Sequence, residues 1–221
     1  MAIVKLTATD GSQVEFVDEI KAQGGMKDVY FSADKTYVVA FYRNKISAND
    51  EARINDIVNI HRQRIFTNDA IGAYWKQFFA WPEKIVQWNG LTGIVIPFYD
   101  KRFFFSGVPD SWPFIKNGQE KNGKWFASAK LINKFVPADQ KGTFLSRLHM
   151  CLKIARAVRR LHAAGLAHSD LSFNNVLVDP ISGSACIIDC DSLVVPHKFP
   201  PEVVGTPGFI APEVLATKKL K

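Results

Sequence analysis

Two features of the chain predict an α+β fold. Short runs of branched and aromatic residues, separated by turn residues, occupy the chain up to about Tyr99. The longest stretch of helical apolar spacing comes later, at Phe144–Ala164. Composition supports a packed protein, with 47% apolar and 22% charged residues over 221 positions. No apolar run approaches the ~20 residues of a membrane span. The start, Met1 to Lys5, lacks the charged-then-apolar layout of a signal peptide. Cys151, Cys186 and Cys190 form no CxxC pair and no disulfide framework, which favours a reducing cytoplasm. A net charge of +7 is compatible with nucleic acid, an acidic protein or phosphate-rich ligands. The basic residues are scattered, apart from Arg156, Arg159 and Arg160 and the tail Lys218-Lys219-Leu220-Lys221. No aromatic-basic motif accompanies them, so most read as solvated surface.

Taken in order, Ile3–Thr7 and Val14–Phe16 alternate around Asp10-Gly11 and predict a hairpin. Val29–Phe31 and Tyr37–Tyr42 predict two strands around the turn Ser32-Ala33-Asp34-Lys35. Asn49–Phe66 reads as a helix whose inward face is Ile54, Ile57, Val58 and Ile65. Lys84–Trp88 and Gly93–Phe98 are strands about Asn89-Gly90. Between 100 and 140, Gly107, Pro109, Pro113, Gly118 and Gly123 interrupt any long element. In Phe144–Ala164 the residues Leu145, Leu148, Leu152, Ala155, Val158 and Leu161 form one stripe, and Gly165 supplies the stop. His162 on that helix reads as packed or exposed.

The chemistry concentrates in three segments. The first is His168-Ser169-Asp170-Leu171-Ser172-Phe173-Asn174-Asn175, the second Ile187-Ile188-Asp189-Cys190-Asp191, and the third Gly205-Thr206-Pro207-Gly208-Phe209-Ile210-Ala211-Pro212-Glu213. In order and spacing they resemble the catalytic loop, the metal-binding DFG segment and the APE segment of protein kinases. A bland alternative makes Asp170 and Asn175 simple turn residues, but it leaves the spacing to Asp189 and the Gly205–Glu213 stretch unexplained. The resemblance implies ATP and magnesium as cofactors. Asp170 is then the base for the acceptor hydroxyl, and Asn175 and Asp189 hold the metal, which suits hard oxygen ligands. It implies a bilobal protein kinase-like fold: residues 1–99 as a β-rich N-lobe with an N-terminal hairpin, and 100–221 as hinge, insertion and partial, mainly helical C-lobe, truncated after the APE segment.

The phosphate-binding end departs from the usual pattern. Most protein kinases carry a lysine at the end of a V-A-x-K strand, whereas this strand reads Val39-Ala40-Phe41-Tyr42-Arg43. Upstream, Gly24-Gly25-Met26-Lys27 stands in the position of the glycine-rich loop, an arrangement similar to the with-no-lysine kinases. Lys27 is therefore the expected phosphate-binding cation, with Gly24, Gly25 and Ala40 lining the nucleotide site. An ordinary Gly-Gly turn with a surface lysine is the alternative. Arg43 is a second candidate, but strand alternation points it away from Ala40 and Tyr42. Glu51, with Asp56 as competitor, is expected to orient the lysine from the helix.

The loop H-x-D-L-S-x-x-N resembles RIO-type atypical kinases. With Ile187–Ser192 and the Gly24–Tyr30 loop, the chain is similar to bacterial serine/threonine kinase-like proteins of tellurite-resistance and stress-response gene neighbourhoods. That resemblance implies a protein substrate and, as partners, a von Willebrand A-type protein and a PP2C-type phosphatase; neither a membrane nor a nucleic-acid role is expected. Ser169 stands where an arginine would clasp a phosphorylated activation loop, and Ser172 where a lysine would approach the γ-phosphate. Asp191 replaces the DFG glycine, either stiffening the segment or adding a metal ligand. Cys190 reads as buried and inert rather than reactive, and Thr206 as a prop for the catalytic loop rather than a phosphosite. The helices that follow Glu213 in the family are missing from the chain, which makes it either a shortened or a minimal kinase. The rival readings are a nucleotide-binding scaffold without catalysis, and a small-molecule phosphotransferase of the aminoglycoside type. The Gly205–Glu213 stretch speaks against the latter.

Overall fold

The computed structural model describes residues 2–67, 70–199 and 205–217; the basic tail from Lys218 lies outside them. Alternating residues and the Asp10-Gly11 turn, with Gly11 at φ +83°, make an antiparallel hairpin of β1 (Ile3–Thr7) and β2 (Gln13–Val17). Its Phe16 is fully buried against Tyr30, Phe41 and Trp88. Five strands follow in one sheet: β3 (Ile20–Gln23), β4 (Lys27–Phe31), β5 (Tyr37–Tyr42), β6 (Lys84–Trp88) and β7 (Leu91–Pro97). Their order is β3-β4-β5-β7-β6, with β4–β5 and β5–β7 antiparallel. The β6–β7 turn places Asn89 at φ +51° and Gly90 at +75°, as a tight hairpin of this twist needs. β3 is not expected from the sequence because its alternation of Ile20 and Ala22 with Lys21 and Gln23 lasts only four residues, all of them exposed.

The helix expected at 49–66 runs as α1 (Ala48–Asn55), a π-helical turn over Asp56–His61, and α2 (Arg62–Ile65). Ser47 caps it by accepting from the Asp50 N–H at 3.1 Å. Ile54, Ile57, Val58 and Ile65 are all buried, as their spacing implied. The widened turn coincides with the Trp81 indole, which donates to the Ile57 carbonyl at 3.1 Å. A short helix, α3 (Ala70–Lys76), was not foreseen.

Residues 100–140 are not featureless. They hold α4 (Ala129–Phe135) and their own small core of Phe105, Val108, Ile115 and Val136. α5 (Phe144–Ala163) starts on a Thr143/Ser146 capping box and ends as expected. Gly165 has φ +74°, and the Leu166 N–H reaches the Leu161 carbonyl at 3.0 Å. Its buried residues are Met150, Ala157 and Leu161; Leu145, Leu148 and Leu152 of the apolar stripe are exposed. His162 is exposed. β8 (Val176–Asp179) and β9 (Ser184–Ile187) form a buried hairpin. A backbone seam ties β9 to the first half: Ile187 N–H donates to Phe78 O at 2.8 Å, and Ala80 N–H to Ile187 O at 2.9 Å. α6 (Pro212–Thr217) closes the described chain. Among the described residues no helix is long and apolar enough to cross a membrane.

Candidate active site

A cavity of about 530 Å³ lies between the sheet and the segments that flank the β8–β9 hairpin, a size that suits a nucleotide-sized ligand. Its apolar wall includes Val29, Ala40, Ile96 and Ile188, and Gly24 and Gly25 border it. At its polar end stand Lys27, Asp170, Asn175, Asp189 and Asp191. Residues of the first two motifs, up to 164 positions from Lys27 in the chain, are thus brought to one place.

The Asp170 carboxylate is held by two hydrogen bonds. Its Oδ1 accepts from the Thr206 backbone N–H at 2.7 Å, and its Oδ2 from the Asn175 amide Nδ2 at 3.1 Å. The prop expected of Thr206 is therefore made by its main chain. Asn175 Nδ2 also donates to the Asp170 carbonyl at 2.7 Å. With both amide hydrogens so engaged, the side-chain oxygen is the atom Asn175 has to offer a cation. A 3₁₀ turn over Phe173–Asn175, capped by the Ser172 hydroxyl, sets this geometry, and Ser172 is buried. His168 braces the loop, its Nδ1 accepting from Asp170 N–H at 3.3 Å and its Nε2 meeting the Ile188 carbonyl at 3.1 Å. The Phe173 and Phe209 rings, 5.0 Å apart, tie the loop to the third motif.

Asp189 adopts left-handed backbone angles, φ +59° and ψ +37°. That is an uncommon conformation for a residue with a side chain, and one that gathers at functional positions. Asp191, which replaces glycine, is not among the positive-φ residues; it sits in the 3₁₀ turn Cys190–Ser192. Cys190 is fully buried in the core with Leu161 and Leu193. Burial pushes its thiol well above the ordinary range, and that of Cys186 up to about 12.

Lys27 points into the cavity from the first residue of β4. Its ammonium donates to Asp191 Oδ2 at 2.6 Å and to Asp189 Oδ1 at 3.0 Å, and lies 5.3 Å from the Tyr42 ring centre. Burial disfavours the ammonium, but the two carboxylates outweigh it and hold its proton more tightly than usual. Burial likewise works against the Asp191 carboxylate, and Lys27 and Tyr42 still keep it below the ordinary carboxylate range. Tyr42, in the place of the strand lysine, donates its hydroxyl to Asp191 and is itself raised by burial and by that carboxylate.

Two expectations need correcting. Glu51 is not brought to Lys27: it is exposed on the first turn of α1, where its Oε1 accepts from Thr92 Oγ1 at 3.0 Å. The residue that α1 sends inward is Arg53, whose Nη1 donates to the Asp191 carbonyl at 2.6 Å. Its competitor Asp56 pairs with Lys198 instead. Arg43 points away from the carboxylates as alternation required, and its guanidinium clasps the Gly24 and Gly25 carbonyls. Sequence reasoning also missed Glu120. The 100–140 segment pairs it with Phe104 and returns it to the cavity, where burial raises its carboxyl. The clue for Asp191 was present in the chain: an extra aspartate beside the metal segment of a sequence whose strand lysine is missing.

Among the described residues no cluster of three or more His, Cys, Asp or Glu side chains is gathered. The donor set at the polar end is instead one amide oxygen and the half-exposed Asp189 carboxylate. That set fits magnesium bound mainly through phosphates and water. Arg156 and Arg160 on α5 are engaged within the protein, with Tyr74 and with the Arg64 and Ile65 carbonyls.

Comparison with known proteins bears on the fold and the family. Residues 130–221 match the protein kinase domain family. The chain is 34% identical over 74 residues to a dual serine/threonine and tyrosine protein kinase of Apis mellifera, covering 34% of this chain and 8% of that protein. It is 40% identical over 78 residues to dual specificity testis-specific protein kinase 1 of Rattus norvegicus, covering 31% and 12%. The chain thus spans about a tenth of these relatives' length. In structure it is similar to a rhoptry kinase of Toxoplasma gondii (TM-score 0.58, 15% identity, 100% of this chain and 58% of that one). It is also similar to ROP2 of Toxoplasma gondii, described as a virulence factor with a protein-kinase fold and no enzymatic activity (TM-score 0.55, 14% identity, 97% and 60%). The fold is that of protein kinases.

Proposed function

We propose that this chain is an ATP- and magnesium-dependent protein kinase that phosphorylates serine or threonine hydroxyls, with residues 1–99 and 100–221 as its two lobes. The observation that carries the reading is the shared cavity: a braced Asp170, the Asn175 amide, Asp189 and the Lys27 ammonium meet at one end of a nucleotide-sized space. In it, Asp170 orients the acceptor hydroxyl and takes its proton as the oxygen bonds to phosphorus and ADP departs. Lys27 binds the phosphates, beside Gly24 and Gly25, where no side chain crowds them. Magnesium held by Asn175 and Asp189 would supply neutralisation of phosphate charge.

A nucleotide-binding scaffold is the second reading, favoured by one observation. Ser172, in the place of the catalytic-loop lysine, is buried and its hydroxyl caps the Asn174 N–H at 3.3 Å, so the loop brings no cation to the transferred group. The von Willebrand A-type and PP2C-type partners, and a bacterial stress-response setting, are proposed on the resemblance alone.

The test is incubation with γ-labelled ATP and magnesium, comparing wild type, Asp170→Ala and Lys27→Met on serine, threonine and tyrosine acceptors. Transfer by the wild type that falls at least a hundredfold in both variants is the expected result, since each removes a charge used in the transition state. ATP binding with no transfer in the wild type would establish the scaffold. Full activity in Lys27→Met would remove Lys27 from its role.

A further inference from the structure

We propose that Asp191 is the positioning residue for Lys27, taking from within the metal segment the part that the resemblance assigned to a helix glutamate. The inference rests on the proposed role of Lys27 in binding phosphate, and it concerns a residue that the three motifs leave without a task.

The geometry is that of an anchor. Asp191 is 1% exposed, and one oxygen, Oδ2, accepts from both the Lys27 ammonium at 2.6 Å and the Tyr42 hydroxyl. The Asp191 carbonyl accepts from Arg53 Nη1 at 2.6 Å. One residue therefore gathers β4, β5, α1 and the metal segment. Its Oδ1 is buried with no hydrogen-bond partner among the described residues. A buried carboxylate is costly unless it is paired and hydrogen-bonded, so the chain keeps this one only in the company of Lys27 and Tyr42. Glu51, which would otherwise compete for the task, is spent on Thr92.

The two carboxylates that share Lys27 differ in one respect that matters. The Asp189 side chain is 38% exposed and the Asp191 side chain 1%. Water or a metal can replace Lys27 at the half-exposed Asp189, while the buried Asp191 side chain is closed to both. On nucleotide binding the ammonium leaves Asp189 and turns to the phosphates while Asp191 keeps its hold. Lys27 thus has a fixed anchor and a dispensable contact. Tyr42 fills the position that a strand lysine would occupy and locks the anchor in place.

The experiment compares the affinities of the 221-residue chain for ATP and for adenosine, in the wild type, Asp191→Asn, Lys27→Met and the double variant, alongside thermal melting. Asp191→Asn is expected to weaken ATP about ten- to hundredfold, the loss of a charge-assisted hydrogen bond, and to leave adenosine binding within about twofold. In the double variant the ATP loss should equal that of Lys27→Met alone, because the anchor has nothing left to hold. Where Asp191→Asn does not fold, Asp191→Gly, which restores the residue of the motif, carries the same comparison. Equal weakening of ATP and adenosine, or losses that add in the double variant, would overturn the proposal. Because the readout is binding, a wild type that binds ATP without transferring phosphate refutes the kinase reading and leaves this one standing.

Discussion

Cys190 lies between the two aspartates at the polar end of the cavity, and its chemistry is set by burial rather than by its neighbours. Burial is the first cause of its raised thiol pKa, the nearby carboxylates add to it, and Cys186 is raised to about 12 by the same cause. A thiol held that far above neutrality carries almost no thiolate. Cys151 is exposed on α5. Treating the native chain with iodoacetamide at neutral pH should modify Cys151 alone, with Cys186 and Cys190 reacting only after denaturation. Mass spectrometry of tryptic peptides reads the outcome, and rapid native labelling of Cys190 would contradict the packing around it.

α5 shows what periodicity conveys about an element and what it withholds. Apolar residues three and four apart established the helix and its length, and Gly165 its end. The spacing could not say which of two apolar stripes faces inward, because that depends on the β9 strand packed against it. Leu161 is 1% exposed and sits in the core with Ile57 and Leu166; Leu148 is 53% exposed. Leu161→Ala should therefore cost about 2–5 kcal/mol, while Leu148→Ala should stay within about 0.5 kcal/mol. Urea midpoints of the two variants decide it, and similar losses would contradict the observed face. The site divides the same way. That Asp170, Asn175 and Asp189 lie together was legible because short, fixed spacings along one loop and hairpin set their positions. The placing of Lys27 beside the cavity was legible because two glycines mark the turn next to it. Glu51 was misplaced because a helix residue's partner depends on the rotation of α1, which no local pattern fixes. The contacts of Asp191 with Lys27 and Tyr42 span 164 and 149 positions of the chain and leave no periodic trace.

At the scale of the whole molecule, one buried histidine links global stability to pH. His61 ends the π-helical turn, is 3% exposed, and its Nδ1 has no hydrogen-bond partner among the described residues. Burial lowers its pKa from 6.5, the Arg64 and Lys198 cations lower it further, and Asp56 opposes them. The folded protein thus keeps His61 neutral at a pH where the unfolded chain protonates it. The unfolded state then binds more protons as pH falls below about 6.5, and stability falls with it. The loss continues until pH passes the lowered folded value, at a slope of at most about 1.4 kcal/mol per pH unit for one proton. The turn that carries His61 lies between the Trp81 indole and the Lys198–Asp56 pair, so charging it strains the join between the helix and the segment before the third motif. The melting temperature should drop between pH 7.5 and pH 5.5, and His61→Gln, which cannot ionise, should drop less over the same range. Parallel curves for the two proteins would show that His61 is not the group that senses the acid.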